Sequence, residues 1–311
     1  MTADLVETPE GRTVRAYFFP GLTERRALVV AGIHGSELSS IEVAEQLIVD
    51  LKQAATPPFF SVVVIPTLFP DGRARAEARP IEIGSEDEIG RCLPSGLDPN
   101  RNFPATGTDY DPSNARDSCG RPIANENAAL LALVERFQPT RIGSLHATRA
   151  LDDAGIYADP RSETPSDPGR SPEGRALGFA PDAHLALRMA EAARRGGAAV
   201  PGNRLGHPAP NAVYPLDPAP ATAGNLQRRA SSDGADGSRQ AGVSFGEYAA
   251  TATPKRAAIT VITVEVQTSK RALDMPTEEA RNRRRREVRA HCTALREVLL
   301  GAPERPEKLL P

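Results

Sequence analysis

Continuous apolar runs flank a helical pattern near the start of the chain. Residues 27–33 (ALVVAGI) and 59–65 (FFSVVVI) are typical of strands that are buried on both faces. Between them, residues 36–53 repeat apolar side chains every three or four positions, which predicts a helix. An earlier run at 13–20 predicts a short strand that ends at a Pro-Gly turn. The order strand, helix, strand predicts a mostly parallel sheet with helices on both faces.

The same patterns return later in the chain, with longer interruptions. Apolar runs predict three more strands, at 141–145, 155–158 and 257–266. Helical periodicity predicts three more helices, at 125–137, 182–195 and 277–300. The strand at 257–266 has the strongest apolar pattern in the sequence.

Irregular sequence separates these elements. Residues 70–122 hold few apolar runs and are predicted to form long loops, which in a compact domain are usually functional or disordered. We see no internal repeat and no clear linker between domains. We therefore expect one α/β domain over 1–311, with irregular insertions near 75–122, 159–181 and 205–241.

Composition and charge narrow the class of protein. The 311 residues are 40% hydrophobic and 25% charged, which is ordinary for a globular domain. No apolar run approaches the ~20 residues of a membrane-spanning helix. A formal net charge of −2 gives no electrostatic reason to expect nucleic acid or an anionic membrane as a partner. The basic run at 283–286 lies on the polar face of a predicted amphipathic helix that also carries Glu278, Glu279 and Glu287, which is typical of a solvated helix face.

The cysteines and the first ten residues indicate the cellular compartment. Three cysteines do not make a disulfide scaffold. Residues 1–10 lack the basic and apolar regions of a secretory signal. We therefore expect a cytoplasmic protein, with a processed precursor as the alternative. The sequence does not indicate an oligomeric state.

Two of the five histidines stand where ligands bind in α/β sheets. His34 and His146 each follow directly on an apolar strand, and ligands in open parallel sheets bind just beyond the carboxyl ends of strands. By contrast, His184 and His291 lie in polar helical sequence, and His207 lies in a Pro-rich loop. A surface or structural role is the better interpretation for those three.

A carboxylate follows the first of these histidines. Glu37 stands three residues after His34, across a glycine turn. Two such ligands can converge on one cation, and zinc binds His nitrogen and Glu oxygen, with three protein ligands in catalytic sites. A charge that favours the N-terminal helix dipole explains Glu37 as well.

The segment 98–104 (DPNRNFP) is more distinctive. Asn100 and Arg101 place an amide beside a planar guanidinium, which is a good clamp for a carboxylate. The alternative is a surface turn closed by Asp98 and Pro104, which does not explain the whole string.

Glu265 interrupts the apolar strand 257–266. A carboxylate in a buried strand is costly unless it is paired, bound to a metal or directed into a cleft. A general base in a metal-assisted hydrolysis is one use of such a group. The alternative is an edge strand with this side chain in water.

Together these motifs resemble the M14 zinc carboxypeptidases, in the order found in that family. The matching motifs are His34-x-x-Glu37, Asp98-x-Asn-Arg-Asn-Phe, Ser144-Leu-His146-Ala and Thr263-Val-Glu265. Pro70-Asp71-Gly72 also matches the family's Asn-Pro-Asp-Gly turn, with Phe69 in place of Asn. The resemblance spans roughly residues 25–300. It is closest to the short bacterial members, which include murein peptide amidases that cleave γ-D-glutamyl–meso-diaminopimelate bonds.

The resemblance implies a zinc carboxypeptidase-like fold and a role for each matching residue. One Zn²⁺ per chain would be bound by His34, Glu37 and His146, and Glu265 would be the general base. The substrate's terminal carboxylate would be held by Asn100 and Arg101, while Arg91 would polarise the scissile carbonyl. Phe245 falls near the side-chain specificity position, where it marks either an apolar substrate pocket or core.

One feature departs from the family pattern, and the state of two cysteines is not decided by it. No tyrosine stands at the family's pocket position, and the nearby Tyr214 and Tyr248 are better explained as structural. A disulfide tethers the region between Cys92 and Cys119 in some family members, whereas an intracellular site favours reduced thiols.

The resemblance therefore implies a zinc-dependent hydrolase that acts on a small peptide or murein peptide. The bond cleaved would be a peptide or amide bond next to a residue with a free carboxylate. One alternative is a zinc amidohydrolase of the succinylglutamate desuccinylase or aspartoacylase type. Another is a non-catalytic relative that binds a ligand. The Pro-Asp-Gly turn argues against the first, and the complete set of ligands with Glu265 argues against the second.

Overall fold

Seven strands form one mixed sheet within the residues that the computed structural model describes, which are 1–84, 89–163, 180–203, 205 and 241–303. In chain order they are β1 (Thr2–Glu7), β2 (Thr13–Phe19), β3 (Arg26–Ala31), β4 (Ser61–Ile65), β5 (Arg141–Thr148), β6 (Gly155–Ala158) and β7 (Thr260–Gln267). Across the sheet the order is β1-β2-β4-β3-β5-β7-β6.

The centre of the sheet is parallel and its two edges are antiparallel. The pairs β4–β3, β3–β5 and β5–β7 are parallel, whereas β1–β2, β2–β4 and β6–β7 are antiparallel. The parallel strands are the ones with continuous apolar runs, as expected for strands covered on both faces. The expectation of a parallel arrangement therefore holds for the four central strands.

Helices cover both faces of the sheet, as the sequence predicts. They are α1 (Leu38–Gln53), α2 (Pro70–Ala78), α3 (Asn125–Phe137), α4 (Ala180–Arg195), α5 (Phe245–Ala250) and α6 (Glu278–Ala294). The core on one face is formed with α1, α4 and α6, and includes Leu47, Met189 and Val288. The core on the other face is formed with α3 and α5, and includes Leu130 and Tyr248.

Most of the predicted elements are present, with ends that differ by a few residues. The predicted strand at 141–145 extends to Thr148, so His146 lies inside β5 rather than after it. The helix predicted over 277–300 ends at Ala294, and one π-helical turn continues it over Leu295–Leu299.

Three elements are absent from the sequence prediction. β1 is an edge strand with mostly exposed side chains, so it has little apolar pattern. α2 lies where loops were predicted, because only Asp71, Gly72 and Ala76 are buried along it. α5 has six residues, too few for a periodic pattern, although the Ser244–Glu247 capping box marks its start.

The irregular segments are only partly described. Short 3₁₀ turns at 80–82, 99–101 and 112–114 punctuate the first predicted insertion after α2. Most of the insertions predicted near 159–181 and 205–241 lie outside the described residues. No helix in the described part of the chain is long and apolar enough to cross a membrane.

Candidate active site

The turn between β3 and α1 positions His34 and Glu37. Glu37 is the N-cap residue of α1, and its backbone N–H donates to the His34 carbonyl at 3.1 Å. This conformation brings the Glu37 Oε1 atom to 2.8 Å from Nδ1 of His34. Both side chains are buried, so the pair faces the protein interior rather than bulk solvent.

His146 joins this pair from the neighbouring strand. β5 lies beside β3, and Nδ1 of His146 is 3.1 Å from the Oε2 atom of Glu37. His34, Glu37 and His146 are each 2% exposed. One ligand atom from each lies within 4.8 Å of the others, so a single ion can contact all three. The structure thus brings the three predicted metal ligands together.

The donor set fits a zinc ion. Each imidazole directs Nδ1 to Glu37 and has a polar group at Nε2, as metal-binding histidines usually do. For His34 this group is Asp98, with Oδ1 at 2.9 Å, and for His146 it is the Ser144 hydroxyl at 3.1 Å. Two imidazoles and one carboxylate are among the ligand sets of catalytic zinc.

Electrostatics keep the carboxylates of this cluster ionised. Burial raises the pKa of Glu37, but His34 and His146 oppose this and hold that pKa well below its usual value. Burial likewise raises the pKa of Asp98, but the adjacent His34 together with Arg91 and Arg101 outweighs burial, so that the net shift of this pKa is downward. Ionised carboxylates are the form that metal binding requires.

Arg91 lies at the mouth of the cluster. Its Nη1 atom donates to Oε1 of Glu37 at 2.9 Å, and its side chain is 36% exposed. A guanidinium in this place can reach both the buried carboxylate and a molecule that enters from solvent.

Glu265 lies beside His146 on the adjacent strand. The two residues are direct partners in the β5–β7 register, so their side chains project from the same face of the sheet. In the described sheet β7 lies between β5 and β6, which makes the edge-strand alternative wrong. Glu265 is 7% exposed, so it is a largely buried carboxylate next to the candidate metal ligands.

The segment with Asn100 and Arg101 is linked through Asp98 to the candidate metal site of His34, Glu37 and His146. The Oδ1 atom of Asp98 accepts the Asn100 N–H at 2.7 Å and also lies against His34. Asn100 in turn accepts the Phe245 N–H at 3.0 Å through Oδ1. The predicted carboxylate clamp is therefore fixed between the candidate metal site and α5.

Polar side chains form hydrogen bonds with the backbone of the clamp segment and with one another. Asn127 donates to the carbonyls of Pro99 and Asn102, and Asn102 donates to Asp117 at 2.9 Å. Arg121 donates to Asp117 at 2.6 Å and to the Arg101 carbonyl at 2.7 Å. These contacts hold the 3₁₀ turn at 99–101 and the residues that follow it in place.

The Pro-Asp-Gly motif packs against the turn between His34 and Glu37. A Cβ atom at Gly35 would overlap the backbone of Gly72 and Arg73. The turn between His34 and Glu37 can therefore pack against the start of α2 only because glycines stand at the contact. Asp71 accepts the Thr8 hydroxyl at 2.7 Å, which fixes the β1–β2 connection to the same helix.

The remaining candidates lie in the core. Phe245 is 0% exposed and its ring lies 5.4 Å from that of Phe103, as the core interpretation expects. Tyr248 is also fully buried, and burial raises its pKa to about 12. Tyr214 and His207 lie outside the described residues. Burial, followed by Arg284, lowers the pKa of His291 to about 4, in keeping with a structural histidine.

Asp98 and Ser144 were assigned no role from the sequence, although each contacts a histidine of the cluster. The available signal for Ser144 is its spacing, because a residue two positions before His146 in a strand lies on the same face. No local signal marks Asp98 as a partner of His34, which is 64 positions away. No disulfide joins the cysteines of the described chain.

Comparisons with known proteins agree with this arrangement. Residues 5–151 match the family model of the zinc carboxypeptidases, and this stretch includes the three candidate ligands. No curated protein matches the sequence. Over this stretch the match confirms the resemblance that the motifs indicate.

Solved structures share the fold at low sequence identity. The murein-tripeptide amidase of Escherichia coli O157 is 18% identical with a TM-score of 0.51, over 98% of this chain and 93% of its own. A Shewanella amazonensis SB2B protein assigned to the succinylglutamate desuccinylase/aspartoacylase family is 12% identical with a TM-score of 0.50, over 97% of this chain and 75% of its own. These similarities confirm the zinc carboxypeptidase-like fold.

Proposed function

We propose that this chain, which resembles the M14 zinc carboxypeptidases in its motifs and has their fold, is a zinc-dependent hydrolase. It cleaves a peptide or amide bond next to a residue with a free carboxylate. The observation that supports this most is that Asp98 contacts both His34 of the His-Glu-His cluster and the clamp segment of Asn100. A metal site and a carboxylate site are thus adjacent.

The three ligands of one zinc ion per chain are His34, Glu37 and His146. When bound, zinc supplies a Lewis acid that polarises the carbonyl and lowers the pKa of water. Asp98 and Ser144 orient the two imidazoles, because each contacts the ring nitrogen that faces away from Glu37.

Each residue around the proposed zinc site has its own role in the reaction. Glu265, which lies beside His146, accepts a proton from the attacking water and delivers it to the leaving amine. Arg91 donates hydrogen bonds to the carbonyl oxygen as negative charge develops there. Asn100 and Arg101 hold the carboxylate of the leaving residue, and so set which bond lies next to Glu265.

The substrate is a small peptide, and murein peptides are the first candidates because the sequence most resembles the short bacterial members. We further propose that residues 1–311 form one catalytic domain. A cytoplasmic location, and the lack of nucleic acid or membrane partners, stay predictions from the sequence.

A hydrolysis screen of the zinc-loaded protein tests this proposal. The substrates are γ-D-glutamyl-meso-diaminopimelate, dipeptides with apolar or basic C-terminal residues, and N-succinylglutamate. Cleavage of the diaminopimelate peptide or a dipeptide supports the proposal. Cleavage of N-succinylglutamate alone would instead favour the amidohydrolase alternative, and zinc binding without any turnover would favour a non-catalytic relative.

A further inference from the structure

The first turn of α1 contacts the chain directly after β7. Ser39 stands two residues after Glu37, and its hydroxyl donates to the Thr268 carbonyl at 2.5 Å. Its backbone N–H donates to the Ser269 carbonyl at 3.0 Å. Thr268 in turn stands three residues after Glu265, the proposed general base. One serine therefore joins the segment that carries a candidate metal ligand to the segment that carries the base.

Thr268 has a backbone conformation that threonine adopts only where its surroundings enforce it. Its φ is +60°, in the left-handed region, where a β-branched residue is a rare outlier. Such conformations cost free energy and persist where neighbouring contacts hold them, often at functional sites. Two contacts of its backbone do so here, because the Thr268 N–H donates to the Thr148 carbonyl at 2.9 Å while the Thr268 carbonyl accepts Ser39. The end of β7 is therefore held between β5 and α1.

Further contacts fix the loop that follows, which runs over 268–277 between β7 and α6. The carboxylate of Glu42, also on α1, accepts the Ala272 N–H at 3.0 Å. The guanidinium of Arg271 donates to Glu77 of α2 at 2.6 Å. Both helices border the turn that carries the candidate metal ligands, so the loop after β7 is fixed to the same part of the molecule as that turn.

Helix capping alone does not explain the side chain of Ser39. An N–H in the first turn of a helix needs an acceptor, and the Ser269 carbonyl supplies one. The hydroxyl is a separate donor, and the next residue shows how such a hydroxyl is satisfied locally. Ser40 donates to the Glu37 carbonyl within the same turn, at 2.8 Å. Both serines are 0% exposed, so they differ in that Ser39 reaches the chain after β7.

We propose that Ser39 is a positioning residue, which fixes the end of β7 against α1 and thereby sets the distance between Glu265 and the candidate metal site. This inference rests on the proposed function, in which Glu265 is the general base. A general base has to lie within hydrogen-bonding distance of the proton that it accepts, so a small shift of β7 lowers the rate. Ser39 acts through the backbone of Thr268. Binding of the substrate's carboxylate, which depends on Asn100 and Arg101, does not involve it.

The separate effects of Ser39→Ala on kcat and KM test this proposal. The variant removes only the hydroxyl, and we expect kcat of the zinc-loaded protein to fall by about 10–100-fold, since a misplacement of about 1 Å at the reacting groups costs up to about 100-fold. KM and zinc content should stay the same, because the clamp and the three ligands keep their places. A normal kcat in folded Ser39→Ala, or a loss of kcat/KM that lies wholly in KM, would overturn the proposal.

Ser40→Ala is the matched control, because it removes an equally buried hydroxyl from the same turn of α1. It should lower the midpoint of thermal unfolding about as much as Ser39→Ala does, and it should keep kcat. If Ser39 only stabilised the fold, the two variants would have equal kcat well below their unfolding midpoints. A loss of kcat in Ser40→Ala as large as that in Ser39→Ala would therefore also overturn the proposal.

Amide hydrogen exchange distinguishes failure of this inference from failure of the proposed function, because it needs no turnover. Exchange over 265–270 should be faster in Ser39→Ala and unchanged in Ser40→Ala. That result supports Ser39 as the residue that holds β7 even if the unaltered protein cleaves no substrate. Hydrolysis with unchanged exchange and kcat in Ser39→Ala would leave the hydrolase intact and reject Ser39. If Ser39→Ala does not fold, the Thr268 amide of the unaltered protein decides: protection like that within β7 supports the proposal, and rapid exchange would overturn it.

Discussion

At the scale of single residues, Glu37 shows how much one carboxylate organises. It lies within hydrogen-bonding distance of Nδ1 of both histidines, accepts the Ala147 N–H at 3.0 Å and accepts Arg91 at 2.9 Å. Its local sequence shows only the three-residue spacing from His34. The contacts with β5 and with Arg91 join segments far apart in sequence, and so depend on the fold.

The carboxylate clamp gives the first prediction at this scale. Arg101→Ala should lower kcat/KM sharply for substrates with a free terminal carboxylate, because the guanidinium forms a charged contact with that group. The loss should be much smaller for the same substrate amidated at the carboxylate. Arg101→Lys should also be poorly tolerated, because an ammonium does not reproduce the two-pronged contact.

Arg116 offers a control from the same region, since its guanidinium donates to the Gly120 carbonyl near the surface. Arg116→Ala should leave the preference for a free carboxylate in place. Equal losses on both substrates in Arg101→Ala would instead mean that Arg101 is structural.

Glu265 gives the second prediction. Glu265→Gln keeps the size of the side chain and removes the base, so the rate should fall by at least the ~10²–10⁴-fold expected for a positioned general base. Zinc content should stay the same, because Glu265 is not a proposed ligand. Metal content and kcat are measured on the same sample. Turnover near normal would reject the base, and loss of zinc would make Glu265 a ligand.

At the scale of elements, the sequence predicts strongly periodic segments well and short ones poorly. The apolar runs of β3, β4 and β7 and the periodicity of α1 and α3 are sufficient to predict these elements, because they are buried along most of their length. α2 and α5 are short, and their positions depend on contacts with the turn between His34 and Glu37 and with the clamp. These contacts help to position the site, so two of the three missed elements, α2 and α5, lie next to it.

The contact between α2 and the turn from His34 to Glu37 gives the third prediction. Gly35→Ala places a Cβ atom against the backbone of Gly72, so the turn that carries His34 and Glu37 has to shift. We expect zinc affinity to fall by about 10–100-fold, as when groups that orient metal ligands are changed. Competition with a chelator measures this affinity.

Gly120→Ala is the control for this variant. Gly120 has a φ of +79° and nothing near its Cβ position, so alanine strains its own turn without touching the site. Zinc affinity should be unaltered in it. An unaltered affinity in Gly35→Ala as well would show that the close packing of α2 is not needed.

At the scale of the whole molecule, the parallel centre of the sheet brings together motifs that are far apart in sequence. β3, β5 and β7 are neighbours, and they carry or precede His34, His146 and Glu265. The sequence predicted this convergence, because strand-end residues of a parallel sheet meet at one edge. It did not predict β1 and β2 at one edge, or the contact of Ser39 with the chain after β7. Antiparallel pairing at the edges depends on turns that have no strong pattern.

The zinc content of the purified protein tests the central claim most directly. Elemental analysis should find one zinc per chain in the unaltered protein and little in His34→Ala, which removes one of three ligands. His184→Ala, at an exposed position on α4, should keep full occupancy. Full zinc occupancy in His34→Ala, or none in the unaltered protein after incubation with zinc, would contradict the account.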